Sequence, residues 1–234
     1  MTTDLAPITV CIPVGPDPLY KDFLSECLES ILSQTKPPVE ILVMNDAAGD
    51  LKLEGWKRSL ESLGGFFFEW HALWLTGPGT MWNYGVALSA NPYTLLMGSD
   101  DKLSPTALEK AEQTIQQIND PLGWYNFDCW DSGEDRAVNW YNNAAVVGKA
   151  LWKKTGGFHI MTSTGGMDAA HLSVIMVHLS QHMHRIAPGE ALYWVREHPA
   201  QYGKSSGSRY LTFMNQLRND LTAEWKEPEW TKNV

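Results

Sequence analysis

The sequence predicts an α/β domain in which a central, mostly parallel sheet is flanked by helices. Short apolar, β-branched segments alternate along the chain with segments whose apolar residues recur at helical spacing. The first strand segments are nearly continuous apolar runs, which is typical of strands that are covered on both faces. Each connection is long enough to hold the helix that a right-handed parallel crossover requires.

The first strand–helix–strand unit opens the chain and sets this pattern. An apolar strand over residues 8–14 stops at a Gly-Pro pair, and a helix with an apolar stripe follows over residues 20–34. A second apolar strand over residues 39–44 leads into Asp46. We therefore expect these two strands to lie side by side and parallel.

The same alternation continues along the chain, and no composition break, internal repeat or low-complexity tract interrupts it. We therefore expect one continuous domain over residues 1–234. Further strands are predicted over residues 66–75, 93–97, 124–130, 144–147 and 191–196, and further helices over residues 55–63, 81–89, 105–118, 150–154, 169–181 and 211–225.

Acidic turns mark the ends of several predicted strands. Asp17, Asp46 and the pair Asp100-Asp101 each follow an apolar strand segment. Open α/β sheets bind their ligands beyond the carboxyl ends of the strands. The sequence therefore predicts a ligand cleft at this edge of the sheet, with carboxylates facing it.

The overall composition limits the classes of partner. The 18 basic and 27 acidic residues give a formal net charge of -9, which argues against nucleic acid as a partner. No apolar run reaches the roughly 20 residues of a membrane-spanning helix, and the first residues lack the features of a signal peptide. Three cysteines without metal-type spacing fit a reducing compartment. These observations favour a cytoplasmic enzyme.

Seven short motifs follow one another between residues 8 and 208. They are Ile8–Asp17, the stretch from Glu26 through Gln34 to Asp46, Asn83–Leu88, Leu95–Pro105, Thr155–Phe158, Gly166–Asp168 and Tyr193–His198. In this order they resemble the opening strand and the "CLESILxQT…EIxVxxD", "RNxGIxxA", "xxDxDDxLxP", "xGGF", "GED" and "YYYRxHP" segments of the family 2 glycosyltransferases. Any one of these motifs is a weak signal, whereas seven in order are specific.

This resemblance implies a Rossmann-like sandwich of GT-A type and an inverting transfer of a sugar from a nucleotide-sugar donor, with a UDP-sugar favoured. It implies a nucleotide-binding half over about residues 1–101 and an acceptor half over about 102–210, followed by a helix and tail over 211–234. The acceptor would be a hydroxyl of unknown identity, on a glycan, a lipid-linked sugar or another molecule.

The resemblance places a divalent cation, Mn²⁺ or Mg²⁺, on Asp100 and Asp101, with His198 as a further ligand. Carboxylates suit hard cations, and a neutral imidazole suits Mn²⁺ better than Mg²⁺. A cation there would offset the charge that develops on the leaving diphosphate. The alternatives are that the Asp pair caps a helix and that His198 is structural.

Asp168 occupies the position of the family's catalytic acid, between a Gly-Gly loop and a predicted helix. Inversion needs a general base that takes the proton of the acceptor hydroxyl, and the resemblance assigns this role to Asp168. An Asp at this junction would also serve as the N-cap of the helix, and the two roles are compatible.

The expected nucleotide contacts come from several parts of the chain. They are Pro13, Asp46, Asn83, Asp100 and Lys204. Asp46 would accept a hydrogen bond from the base or the ribose, although it also suits a turn with Asn45 and Gly49. Lys204 lies in a Ser/Gly-rich loop over residues 201–209 that forms either a lid over the diphosphate or an ordinary surface loop.

Three substitutions depart from the family pattern. Gly98 stands where the first acid of the metal segment is expected, Trp82 replaces an Arg, and Met167 replaces the Glu beside Asp168. A catalytically degenerate nucleotide- or glycan-binding relative is therefore an alternative, as is a transferase that glycosylates modified nucleic acid. Aromatic and amide side chains over residues 124–143 suit an acceptor sugar or half-buried strand packing equally well.

Overall fold

The computed structural model describes residues 4–132, 136–138, 144–158 and 178–199, and the single positions 219, 223 and 226. They form a mixed α/β domain with a curled, mostly parallel sheet flanked by helices, as the sequence predicts. The strands are β1 (Ala6–Val14), β2 (Pro38–Asp46), β3 (Phe66–Ala72), β4 (Tyr93–Leu96), β5 (Lys102–Leu103), β6 (Trp124–Asp131), β7 (Arg136–Val138), β8 (Ala145–Gly148) and β9 (Met183–Val195). The helices are α1 (Pro18–Leu32), α2 (Glu54–Ser62), α3 (Pro78–Leu88), α4 (Ala107–Ile118) and α5 (Lys149–Thr155).

The sheet has the strand order β3-β2-β1-β4-β8-β6-β9-β5, with β7 paired to β6. Strands β1 to β4 pair in parallel, as their helical crossovers require. β8 is antiparallel to both β4 and β6, while β6 and β9 are parallel to each other. The carboxyl ends of β1, β2, β4, β6 and β9 consequently lie at one edge of the sheet.

The core has two layers because alternate residues of each strand point to opposite faces. Val10 and Ile12 of β1 belong to the layer under α1, α2 and α4, whereas Cys11 belongs to the layer under α3 and α5. Every one of these β1 side chains is fully buried. The continuous apolar runs of the sequence follow from this double coverage.

Pairing with β9 explains two differences from the sequence-based expectation. Leu103 pairs with Tyr193, and the amide of Ser104 donates to the carbonyl of Leu192. These contacts hold residues 102–104 extended, so α4 begins at Ala107 rather than at residue 105. β5 was not predicted because a two-residue strand carries no periodicity.

β9 is also longer than predicted, and β3 is shorter. β9 begins at Met183, directly after a 3₁₀ turn over Ser180–His182 that falls where the end of a helix was expected. β3 ends at Ala72, and the side chains of Leu73 and Trp74 are exposed in the loop that follows. Residues 169–177 of the expected helix, and most of residues 211–225, lie outside the described residues. No helix in the described part of the chain is long and apolar enough to cross a membrane.

Candidate functional site

The candidate site lies at the carboxyl edge of the sheet, between the loops that follow β4 and β9. Asp100 follows β4 and His198 follows β9, and both strands end at this edge. Nε2 of His198 lies 2.9 Å from Oδ2 of Asp100. The fold therefore brings together two of the three predicted metal ligands, which are separated by 97 residues of sequence.

His198 is held in a buried aromatic setting. The residue is 6% exposed, and its ring centroid lies 5.5 Å from that of Tyr20 and 5.2 Å from that of Phe23. No described residue partners its buried Nδ1. Helix α1 thus supplies a wall of rings that fixes the imidazole with Nε2 facing Asp100.

Asp101 faces different partners from its neighbour. The hydroxyl of Tyr193 donates to Oδ2 of Asp101 at 2.7 Å, and the amide of Arg196 donates to Oδ1 at 3.0 Å. Burial raises the pKa of Asp101 well above its usual range, and the nearby Asp100 carboxylate raises it further. Burial, followed by the charge of Asp101, likewise raises the pKa of Tyr193 well above its ordinary value. Both oxygens of Asp101 are therefore engaged within the protein.

Arg196 links the turn after β4 to helix α1. Its Nε donates to the carbonyl of Asp100 at 2.9 Å, and a terminal nitrogen donates to Glu26 at 2.7 Å. Its guanidinium also lies over the ring of Phe23, 4.2 Å from the centroid. The hydrogen bond from Arg196, with help from Lys102, holds the pKa of Glu26 below its usual value.

The donor set of Asp100 and His198 fits a divalent cation. A carboxylate oxygen and an imidazole nitrogen face each other, and both are ligands that Mn²⁺ accepts. The absence of a side chain at Gly98 lets the carboxylate of Asp100 pack against this backbone, because an added Cβ would lie 2.5 Å from Oδ1 of Asp100. Among the described residues, no three His, Cys, Asp or Glu side chains converge as a metal site. The chain thus offers a pair of ligands here, and the remaining ligands of a cation would come from elsewhere.

Asp46 holds a loop at the same edge. Oδ1 accepts hydrogen bonds from the amide and the hydroxyl of Thr76, and Oδ2 accepts one from the amide of Gly77. Asn45, rather than Asp46, shapes the turn after β2, where its side chain bonds to Ala48 and to Gly49. Asp46 thereby fixes the segment that leads into α3, and Pro13 lies nearby at the end of β1.

Asn83 likewise contacts the protein itself. Its amide nitrogen donates to the carbonyl of Phe158, and its oxygen accepts from the amide of Phe158 and from Nε1 of Trp152. Trp82, which replaces the expected Arg, is buried against Phe158. Helix α3 thus holds the turn over residues 155–158, which precedes Asp168 in the chain.

Two predicted site residues, Asp168 and Lys204, lie outside the described residues. The same holds for Met167, for the loop over residues 201–209 and for residues 139–143 of the aromatic segment. Their roles stay predictions.

The aromatic segment divides into core and surface residues. Trp124 and Tyr125 are fully buried, whereas Trp130 stacks with Trp194 at 5.9 Å between ring centroids. Trp194 is 38% exposed and also lies near the ammonium group of Lys102.

Sequence reasoning missed Trp194, Tyr193 and Arg196 as site residues. Their signal was the alternation in residues 191–196, which sends Tyr193 to the site and Trp194 to the surface.

Comparison with known proteins identifies the family. The family model described as glycosyl transferase family 2 matches residues 9–175, which is more than half of the chain. The chain belongs to glycosyl transferase family 2. This confirms the resemblance that the seven motifs indicated. A curated relative, the poly(ribitol-phosphate) beta-glucosyltransferase of Bacillus spizizenii, is 28% identical over 122 residues, which is 51% of this chain and 17% of that protein.

Solved structures of the same fold agree with this family 2 domain. TarS of S. aureus superposes with a TM-score of 0.70 at 15% identity over 97% of this chain, and a 1-349 form in complex with UDP-GlcNAc superposes at 0.71, with 16% identity over 94% of the chain. The mannosyltransferase PcManGT of Pyrobaculum calidifontis, in complex with GDP-Man and Mn²⁺, gives 0.66 at 14% identity over the whole chain. The chain spans 41% of the full TarS chain, 68% of its 1-349 form and 69% of PcManGT.

Proposed function

We propose that this domain is a metal-dependent glycosyltransferase that moves a sugar from a nucleotide-sugar, preferably a UDP-sugar, to a hydroxyl acceptor with inversion. The observation that carries the proposal is the 2.9 Å approach of His198 to Asp100 at the carboxyl edge of a family 2 domain. Ligands of open α/β sheets bind at this edge. The UDP-GlcNAc complex of TarS and the GDP-Man and Mn²⁺ complex of PcManGT support a donor and a cation of these classes.

Asp100 and His198 would hold the cation, Mn²⁺ or Mg²⁺. When bound, the cation would offset negative charge on the diphosphate of the donor. Asp100 would also contact the ribose or diphosphate. Lys204 would contribute a second positive charge to the diphosphate, and Pro13 would lie against the base. Asp46 and Asn83 would serve the donor through the segments that they hold.

Asp168 would act as the general base. It would take the proton of the acceptor hydroxyl while the acceptor oxygen bonds to the anomeric carbon from the face opposite the leaving group. The bond from that carbon to the phosphate oxygen would break, and its electron pair would leave with the nucleoside diphosphate. Attack from the opposite face inverts the anomeric configuration.

The acceptor would bind on the side of Trp130 and Trp194. Trp194 is exposed and Trp130 is half-buried beside it, and indole rings at a surface suit the apolar faces of sugars. The Trp194 ring lies 5.6 Å from Nζ of Lys102, which directly follows Asp101 in the chain. An acceptor here, on a glycan, a lipid-linked sugar or another molecule, would be close to the donor end of the site.

The release of nucleoside diphosphate from a panel of UDP-sugars, with and without Mn²⁺, tests the proposal. We expect release that depends on Mn²⁺ and that Asp100→Asn abolishes. Asp168→Asn should keep donor binding and lose about 10²- to 10⁴-fold in transfer rate, the usual contribution of a general base. Asp50→Asn, at an exposed position, is the matched control. Unchanged turnover in Asp168→Asn would remove the base assignment.

A binding-only relative is the second candidate, and the burial of Trp82 favours it. An indole in the core stands where the family's Arg would be available to a nucleotide. Tight binding of UDP-sugars without any release of UDP, whatever the metal, would support this candidate over the transferase. A gel shift on modified DNA would test the third candidate, against which the net charge of -9 argues.

A further inference from the structure

Asp100 and Asp101 are adjacent in sequence but have different chemical surroundings. Asp100 turns Oδ2 towards the imidazole of His198, at 2.9 Å. Asp101 accepts one hydrogen bond on each oxygen, from the hydroxyl of Tyr193 and from the amide of Arg196. Each Asp101 oxygen thus has one of its acceptor sites occupied by a protein donor, and the two donors together fix the orientation of the carboxylate.

Tyr193 connects the two ends of the turn over residues 98–101. Its hydroxyl accepts a hydrogen bond from the amide of Gly98 at 3.2 Å while it donates to Asp101 at 2.7 Å. The residue is 2% exposed, so its ring cannot swing away without opening the core. Arg196 adds a third contact through the carbonyl of Asp100. Tyr193 at the end of β9 and Arg196 just after it therefore both hydrogen-bond to the turn over residues 98–101.

Gly98 completes this arrangement. An added Cβ would lie 2.5 Å from Oδ1 of Asp100 and 2.8 Å from Oδ2 of Asp101. Neither distance leaves room for a Cβ while the two carboxylates keep their present positions. An acid at position 98, as in the family motif, would displace the two carboxylates rather than join them.

We propose that Gly98, Asp101 and Tyr193 form a brace that positions Asp100 towards His198. Asp101 is a positioning residue and not a ligand of the cation. The glycine at 98 is a requirement of this brace rather than a lost ligand. This inference rests on the cation site of the proposed function. It assigns Asp100 and His198 as the ligands, and Gly98, Asp101 and Tyr193 as the residues that position Asp100.

Calorimetric titration of UDP into the full chain, with and without Mn²⁺, tests the brace. The readout is the gain in UDP affinity that Mn²⁺ produces. Asp100→Asn should abolish the gain, whereas Asp101→Asn should keep it within about fivefold, because Asn can still accept from Arg196 and bond to Tyr193. Tyr193→Phe should reduce the gain about tenfold, as the loss of groups that orient a ligand does. Tyr84→Phe, whose side chain is half exposed, is the matched control.

Gly98→Asp gives the sharpest contrast, because restoring the family's acid should weaken the Mn²⁺-dependent gain. A stronger gain in Gly98→Asp, or a loss in Asp101→Asn as complete as in Asp100→Asn, would overturn the inference. So would wild-type protein without any Mn²⁺-dependent gain. A wild-type gain without sugar transfer would instead contradict the proposed reaction and leave the brace in place. Circular dichroism of each variant establishes that it is folded.

Discussion

At the scale of single residues, the carboxylate of Asp120 contacts two imidazoles at the edge of the sheet opposite the candidate site. Its Oδ2 lies 2.9 Å from Nδ1 of His182 and 2.9 Å from Nε2 of His184. Its Oδ1 accepts from the amide of Leu122. Although burial alone would raise it, the hydrogen bonds from His184 and His182 hold the pKa of Asp120 below its ordinary value. The ionised carboxylate therefore stabilises the start of β6 and of β9.

Asp120→Asn should lower the free energy of unfolding at pH 7 by roughly 1–3 kcal/mol, the typical effect of disrupting a partly buried charged hydrogen-bond group. The folded pKa lies below the unfolded value of about 3.9, so this contribution is complete above that value and is lost as the pH falls through the folded pKa. Denaturant unfolding at several pH values between 7 and 3 measures the difference between the two proteins.

The difference between wild type and Asp120→Asn should be smaller at pH 3 than at pH 7. Asp50→Asn, in an exposed ion pair with Lys52, should stay within about 0.5 kcal/mol of wild type at pH 7. A difference for Asp120→Asn that is the same at pH 3 and at pH 7 would show that the charge of the carboxylate is not its source.

At the scale of elements, the contact between α3 and β1 determines how closely helix α3 packs against the sheet. A Cβ at Gly85 of α3 would lie 2.1 Å from Sγ and 3.2 Å from Cβ of Cys11 on β1. Helix and strand thus touch at a point where a side chain has no room. The same helix carries Asn83, which holds the turn over residues 155–158. The packing of α3 consequently also positions that turn.

Gly85→Ala and Gly55→Ala form a matched pair that tests this contact. Both glycines are helical, and Ala favours a helix over Gly by about 0.8–1.0 kcal/mol. Apart from its chain neighbours and the backbone of its own helix, no described heavy atom lies within 4 Å of a Cβ at Gly55, so Gly55→Ala should be neutral or stabilising. Gly85→Ala should destabilise by about 1–3 kcal/mol, because overpacking outweighs the helix preference. Denaturant unfolding compares the two, and equal stabilities would contradict the close contact.

At the scale of the whole molecule, one continuous sheet joins the two halves of the chain. β4 of the first half pairs with β8, and β8 pairs with β6, which brings β9 and His198 to the edge where Asp100 lies. The candidate site is therefore shared between the halves. A ligand bound there contacts loops from both of them, so it should stabilise the domain as a unit.

UDP with Mn²⁺ should raise the melting temperature of the whole domain. A ligand at 100 times its Kd adds about 2.7 kcal/mol to stability, which corresponds to about 5–10 °C for a domain of this size. Far-ultraviolet circular dichroism and tryptophan fluorescence should report the same transition. ADP with Mn²⁺ is the control. Two separate transitions, with the shift confined to one, would contradict a site shared by the halves.

The sequence by itself determined the fold class and the family, and it named Asp100 and His198, which the fold brings within 2.9 Å of each other. The apolar pattern of a strand or helix lies within its own sequence and indicates which of its faces are buried. The motifs of the family are also short local segments, so their order can be recognised without the structure. β5 and the first residues of β9 escaped prediction because their extended form comes from pairing rather than from their own pattern. β5 pairs with the end of β9, and the first residues of β9 pair with β6.

The tertiary structure decided what each polar side chain of the site contacts. Asp101 was predicted as a ligand, and that role stays a prediction; the structure adds that its oxygens accept from residues 92 and 95 positions away along the chain. Asp46 and Asn83, predicted to contact nucleotide, hold Thr76 and Phe158 in place. Carboxylates and amides bond equally well to ligand or to protein, so their roles depend on which donors the strand order brings near them.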